Sequence, residues 1–320
     1  MTSGRLSPAA RQKPPSAAAP PDRACTVVGI GELLWDLLPD GPRLGGAPFN
    51  VIAHLARFGC RARYITAVGR DELGRRATAE VGRLGVATTE IQVNEQPTGV
   101  ARVSVDAEGS PEFEIVTPAA YEATEAPDRR AVIADGGVDL VVVGTLAQRF
   151  PGVRSATRQL VDSADDAPVL YDVNLRPGCW STELVGGLMA SANVVKMNAD
   201  EQAVLAFEFG LASSTIELFA RAACDRFTLR GVCVTRGPSG AALLLDDVYR
   251  EAPAPRVDVV DTVGAGDAFA AGLGYGLIQS WTVSEILSVA TRLGALVASR
   301  PGAIPAWDRA DVGLPQAGLS

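Results

Sequence analysis

The sequence predicts an α/β layered fold, a mostly parallel sheet with helices on both faces. Three observations carry that prediction. Short apolar, β-branched runs recur without the alternation of a half-exposed strand, as buried parallel strands do, and helical patterns separate most of them. Hydrophobic residues make up 47 % of the 320, enough to bury a sizeable core. One stretch, residues 99–116, breaks the rhythm.

In chain order, the first 24 residues hold 11 Pro or Ala, with four basic side chains against one acidic one and no apolar segment. They read as a disordered tail rather than a signal peptide. "CTVVGIG" (25–31) is the first strand. Its Gly29 and Gly31 invite a dinucleotide-binding reading, but the third glycine of G-x-G-x-x-G belongs at 34, where Leu34 stands. "LLWDLLPDGPRL" (33–44), with Asp36 just past the strand, reads as part of a lid. A carboxylate there suits sugar hydroxyls; the plainer reading is a solvated turn.

"GGAPFNVIAHLARFG" (45–59) has the punctuation of a helix: Pro48 near the first turn, Gly59 past the end, and Phe49, Ile52, Leu55 and Phe58 on one stripe. Asn50 and His54 share the opposite stripe, four apart. His54 is the sole histidine, and with no nucleophile suggested beside it the reading is structural. "ARYITAVG" (62–69) is the next strand.

"GVARVSVDAEGSPEFEIV" (99–116) alternates, with Ala101, Val103 and Val105 on one face and Arg102, Ser104 and Asp106 on the other, before "DAEGS" turns into a second strand. Such a hairpin predicts a small sheet leaning over the main domain together with 33–44; the alternative is an edge extension of the main sheet. Further strands are expected at 138–144, 168–174, 193–198, 231–237 and 240–246. Only "PSG" divides the last two, which form a hairpin towards the sheet's edge.

A formal charge of -8 offers no basic field for nucleic acid or an anionic membrane surface. No apolar run approaches the roughly 18 residues of a membrane span. Cys25, Cys60, Cys179, Cys224 and Cys233 are odd in number, widely spaced and without a C-x-x-C pair, so they read as reduced thiols of a cytoplasmic protein. Beyond the tail, Lys196 is the only lysine, so any role that needs a compact ammonium falls on it.

Two stretches are suited to chemistry. "VVKMNADE" (194–201) sets Asn198 and Glu201 three apart at a helix start, which suits Mg²⁺ or an ordinary N-x-x-E capping box. "DTVGAGDAFAAGLGYG" (261–276) packs five glycines and two aspartates in front of a helix without the lysine of a P-loop. With a helix starting near Gly266, the backbone N–H groups of Gly264, Ala265, Gly266 and Asp267 form an anion site, and side chains are minimal where a phosphoryl group would approach. Asp267 then lies beside the anion, where its carboxylate can take a proton from an attacking hydroxyl. These are the parts phosphoryl transfer needs.

At these residues the chain resembles a known family. "DTVGAGDAF" and "GGAPFN" are similar to the two signatures of the ribokinase-like (PfkB) sugar kinases, and "GELLWDLLP", "VGRDELG", "PTGVARVSVDAEG", "YDVNLRPGCW", "KMNADE" and "VTRGPSGA" fall in that family's order. Among its subfamilies, "GGAPFN" and "DVNLRPGCW" look most like bacterial fructokinases. The resemblance implies a three-layer kinase domain over 25–312 with a β-sheet lid (33–44 and 98–117) and a short tail, 313–320. It also implies ATP, Mg²⁺ and a sugar as ligands, with fructose first and ribose, 2-keto-3-deoxygluconate or a nucleoside as other acceptors. Asp267 would be the base, with Gly264, Ala265 and Gly266 as the anion hole. Asp36, Gly46, Asn50 and Arg176 would hold the sugar. Asn198 and Glu201 would organise Mg²⁺ through water, Thr235 and Gly237 would line the nucleotide site, and Lys196 would approach the phosphates. Asp261 and the carbonyls of Val263 and Gly302 fall where relatives bind a monovalent cation such as K⁺, although Ala306 replaces their usual serine. A homodimer through the lid is a further expectation. A non-catalytic sugar-binding module or a dinucleotide-dependent oxidoreductase are the readings from other classes.

Overall fold

The computed structural model describes residues 25–38, 41–105, 111–128, 137–164 and 166–314. The N-terminal tail, the "DAEGS" turn with Asp106, the side chains of Val103, Ser104 and Val105, and residues 315–320 lie outside that description.

The main sheet is parallel from β12 to β5, in the order β12 (Gly231–Thr235), β11 (Val194–Asn198), β10 (Val169–Asp172), β9 (Leu140–Val143), β1 (Thr26–Ile30), β4 (Arg61–Gly69), β5 (Val86–Ala87). Short β6 (Ile91–Asn94) also pairs with β4. All seven runs expected to form main-sheet strands do so. Residues 231–237 and 240–246 form the expected antiparallel hairpin, β12 with β13 (Ala241–Leu245), but β14 (Val248–Ala252) adds a further strand and is the true edge. Sequence reading passed over β14 because "VYREA" is mostly exposed and carries no buried run.

Alternate residues of each strand feed two cores, as a sheet covered on both sides requires. Val27, Val142, Leu170 and Val194 pack with α1 (Ala47–Arg57), α2 (Glu72–Arg83), α7 (Ala265–Ile278) and α8 (Val283–Ala298). Val28, Val141, Tyr171 and Val195 pack with α3 (Pro151–Ser163), α4 (Thr182–Ser191), α5 (Ala199–Phe209) and α6 (Ile216–Phe227). Among the described residues no helix is long and apolar enough to cross a membrane.

The lid segments form a sheet of their own rather than an extension of the main one: β3 (Gly41–Gly45), β2 (Leu34–Leu38), β7 (Gly99–Val105), β8 (Pro111–Ile115). Leu34 and Ala101 bury one face of it against Tyr121, Leu146 and Ala147. Asp36 is therefore part of a lid strand, not of the turn before it.

One expectation is corrected. Cys25 and Cys60 are not separate thiols but a disulfide, with Cα atoms 4.8 Å apart; Cys179, Cys224 and Cys233 are free. Neighbouring strands β1 and β4 start in register, Thr26 opposite Arg61, which sets the preceding cysteines side by side. Spacing along the chain, 35 residues, gave no sign of this.

Candidate active site

The predicted residues gather at the C-terminal ends of the parallel strands, where the chain leaves the sheet and helix N-termini begin. On the β1 side, Gly46 caps α1 at φ 128°, and a Cβ there would stand 2.2 Å from the Glu32 carbonyl oxygen, so no other residue fits. That contact starts α1 close against β1 and places Asn50 in its first turn, buried. Asn50 Nδ2 donates to Asp267 Oδ2 at 2.8 Å, while Asn50 Oδ1 is buried without a partner among the described residues. An open amide acceptor beside a carboxylate is suited to receiving a ligand hydroxyl.

The glycine-rich loop meets this from the other helix. Gly264, in the left-handed region at φ 77°, caps α7, and a Cβ on it would lie 2.5 Å from the Ala303 Cα and 2.6 Å from the Ala303 oxygen. Among the described residues no side chain caps the helix. Ala265 N–H closes a turn on Thr262 O at 3.3 Å, whereas the N–H groups of Gly264, Gly266 and Asp267 find no acceptor among the described residues. Three of the four expected donors are thus free at the positive end of a 14-residue helix. Asp261 braces the loop: its carboxylate accepts from Val263 N at 3.0 Å and Gly302 N at 3.0 Å, and pairs with Arg43 of the lid at 3.3 Å. Burial raises the Asp267 carboxyl above its ordinary range, against the Asn50 hydrogen bond and the charges of Lys196 and Arg176.

Beneath the loop lies a buried ion pair. Asp172 of β10 and Lys196 of β11 are register partners, and Lys196 Nζ sits 3.0 Å from each Asp172 carboxylate oxygen. A Cβ on Gly266 would come 3.2 Å from the same Nζ, so the ammonium adjoins the first turn of α7. Although burial opposes its charge, Asp172, Asp267 and Glu201 hold Lys196 above its ordinary value. Lys196 is therefore not a mobile surface arm; it is a fixed positive charge under the glycine-rich loop.

Two further carboxylates converge, Glu32 from the link after β1 and Asp36 from β2. Burial pushes Glu32 up to about 7 and Asp36 up to about 6, with Arg176 opposing the shift in both and Asp267 adding to it at Asp36. Arg176, exposed after β10, thus acts on Glu32, Asp36 and Asp267 together. Glu32 also accepts from Ala47 N at 3.2 Å and ties the start of α1 to β1. Because its folded pKa is raised, Glu32 favours the fold below the unfolded value of 4.5, and that contribution is lost as pH rises through about 7. Glu32→Gln is thus expected to gain about 3 kcal/mol relative to the parent between pH 4.5 and 8, read by denaturant melts at both pH values. A constant difference across that range would refute the raised pKa.

On the β11–β12 side, Asn198 and Glu201 do form the capping box: Glu201 N donates to Asn198 Oδ1 and Asn198 N to Glu201 Oε2, each at 2.8 Å, while Leu175 N donates to Glu201 Oε1 at 2.8 Å. Both carboxylate oxygens are engaged, yet each keeps a second lone pair, so this oxygen set fits Mg²⁺ held through water rather than directly. Thr235 is the register neighbour of Asn198, and Gly237 follows in a turn at φ 53°. Asp267 touches Asn50, and Gly266 adjoins Lys196, on which the Glu201 charge also acts.

Sequence reading missed Glu32 and Asp172. Both were visible as charges inside apolar runs, "GIGELL" and "VLYDVN", and Asp172 with Lys196 as opposite charges in two consecutive buried strands.

The family described as pfkB family carbohydrate kinase matches residues 42–310. A Salmonella typhimurium protein named fructokinase is 29 % identical over 299 residues, covering 87 % of this chain and 94 % of its own. The aminoimidazole riboside kinase of the same species is 28 % identical over 295 residues, covering 87 % and 90 %. The crystal structure of fructokinase from Vibrio cholerae O395 in its fructose, ADP and calcium ion bound form superposes with a TM-score of 0.77 at 26 % identity, covering 91 % of this chain and 98 % of that one. With its parallel sheet, its separate lid and an aspartate in the first turn behind a glycine-rich loop, the chain belongs to the pfkB family of carbohydrate kinases.

Proposed function

We propose that the chain transfers the γ-phosphoryl group of ATP to a sugar hydroxyl, and that the acceptor is the 6-hydroxyl of D-fructose. The observation that carries the chemistry is the position of Asp267, held by Asn50 on one side and flanked by free backbone donors on the other. The sugar oxygen attacks the γ-phosphorus, the bond to the bridging oxygen breaks, and ADP leaves. Asp267 takes the hydroxyl proton. The N–H groups of Gly264, Gly266 and Asp267, with Lys196 behind them, stabilise charge on the transferred group. Mg²⁺ at Asn198 and Glu201, when bound, neutralises phosphate charge. Asn50 Oδ1, Asp36 and Arg176 orient the sugar, with Gly46 letting α1 approach it. Thr235 and Gly237 line the nucleotide side.

Fructose as acceptor is supported by the two fructokinases above; the riboside kinase, at nearly equal identity, supports a riboside acceptor with the same chemistry. A panel of fructose, ribose, 2-keto-3-deoxygluconate, aminoimidazole riboside and common nucleosides, assayed by ADP release, decides. Fructose is expected to give the highest kcat/KM, and a riboside exceeding it would replace fructose in the proposal. Run in KCl and in choline chloride, the same panel tests a monovalent cation at Asp261, Val263 and Gly302. Faster turnover in KCl supports that site, and equal turnover removes it.

A further inference from the structure

We infer that His54 is a positioning residue that holds the back wall of the anion loop, resting on the reading of residues 264–267 as the phosphoryl site. His54 lies on the same stripe of α1 as Asn50, one turn on, and is completely buried. Both ring nitrogens are used. Trp307 Nε1, a donor only, lies 2.9 Å from His54 Nδ1, so Nδ1 accepts and the ring is the neutral Nε2–H tautomer. That Nε2–H donates to the Ala303 carbonyl oxygen at 3.0 Å.

Ala303 is where the loop is braced. Its carbonyl oxygen, held by His54, stands 2.6 Å from where a Gly264 Cβ would be, and the preceding Gly302 N–H donates to Asp261 at the loop's other end. Residues 302–303 therefore back the whole turn from Asp261 to Gly264, and they carry no regular secondary structure to hold them. One helix face sets two things at once: Asn50 fixes the base, and His54 fixes the wall behind the donors. A carbonyl without its partner would leave Ala303 free to move against Gly264, and a displacement of about 1 Å at a reacting site costs on the order of a hundredfold in rate.

The test compares His54→Leu, which fills the volume without a donor, with His54→Gln, whose amide reaches as far as Nε2, and with His54→Asn, whose amide falls short. His54→Leu is expected to lower kcat roughly ten- to a hundredfold with sugar KM changed by less than about threefold, and His54→Gln to recover most of the loss. A folded His54→Leu with kcat within about twofold of the parent overturns the inference. Should His54→Leu not fold, the amide pair decides: kcat higher for Gln than for Asn supports the role, and equal values overturn it. Asp267→Asn measured alongside separates this inference from the reading it rests on. Full activity in that variant removes the phosphoryl site itself, whereas its loss beside an active His54→Leu removes only the positioning role.

Discussion

Asp267→Asn is expected to lower kcat by roughly 10²–10⁴-fold while sugar and nucleotide affinities stay within a few-fold of the parent. The amide keeps the shape and can still accept from Asn50 Nδ2, which now meets Asp267 Oδ2 at 2.8 Å, so the site's geometry is conserved and only the proton acceptor is lost. Isothermal titration for binding and ADP release for turnover separate these two quantities. Turnover near the parent's level would remove Asp267 as the base. The parent's pH profile carries the same argument. Burial holds the Asp267 carboxyl above its ordinary range, so kcat falls as pH drops through that raised pKa, where the base becomes protonated. A profile flat down to the ordinary aspartate range would contradict the burial argument.

Lys196→Met is expected to cost about 3–5 kcal/mol of stability, because it leaves Asp172, 1 % exposed, without its counter-ion. Pairing Lys196→Met with Asp172→Asn removes the uncompensated charge, and recovery of half or more of the loss is expected in that double variant. Turnover should not recover with it, since the ammonium that adjoins Gly266 is still missing. Denaturant melts on the parent, both single variants and the double read the coupling. An unchanged melting midpoint in Lys196→Met would show that the pair carries no net stability.

The strands legible in the sequence were those with continuous apolar runs, because a strand buried on both faces must be apolar at successive positions. Runs such as "VDLVVVG", short and rich in β-branched residues, point to a buried strand, while β5, β6 and β14 are short or half-exposed and carry no such signature. The lid was legible for the opposite reason: its strand alternates, and where side chains are described only one face is covered, with Ala101 buried and Arg102 exposed.

Local chain chemistry by itself determined the unpaired donors at the start of α7 and the aspartate in its first turn. A helix N-terminus needs only consecutive residues, and Gly264, Ala265, Gly266 and Asp267 are consecutive. The same holds for the Asn198–Glu201 box, whose choice between cap and metal position the sequence left open; the structure shows the cap formed. Tertiary structure alone decided what depends on register between distant segments: the Asp172–Lys196 pair, the Cys25–Cys60 disulfide, the Asn50–Asp267 hydrogen bond across 217 residues, and the His54–Ala303 contact across 249. These contacts form over a few ångströms between groups 24 to 249 residues apart, and no periodicity along one chain encodes which of its strands and helices will lie side by side.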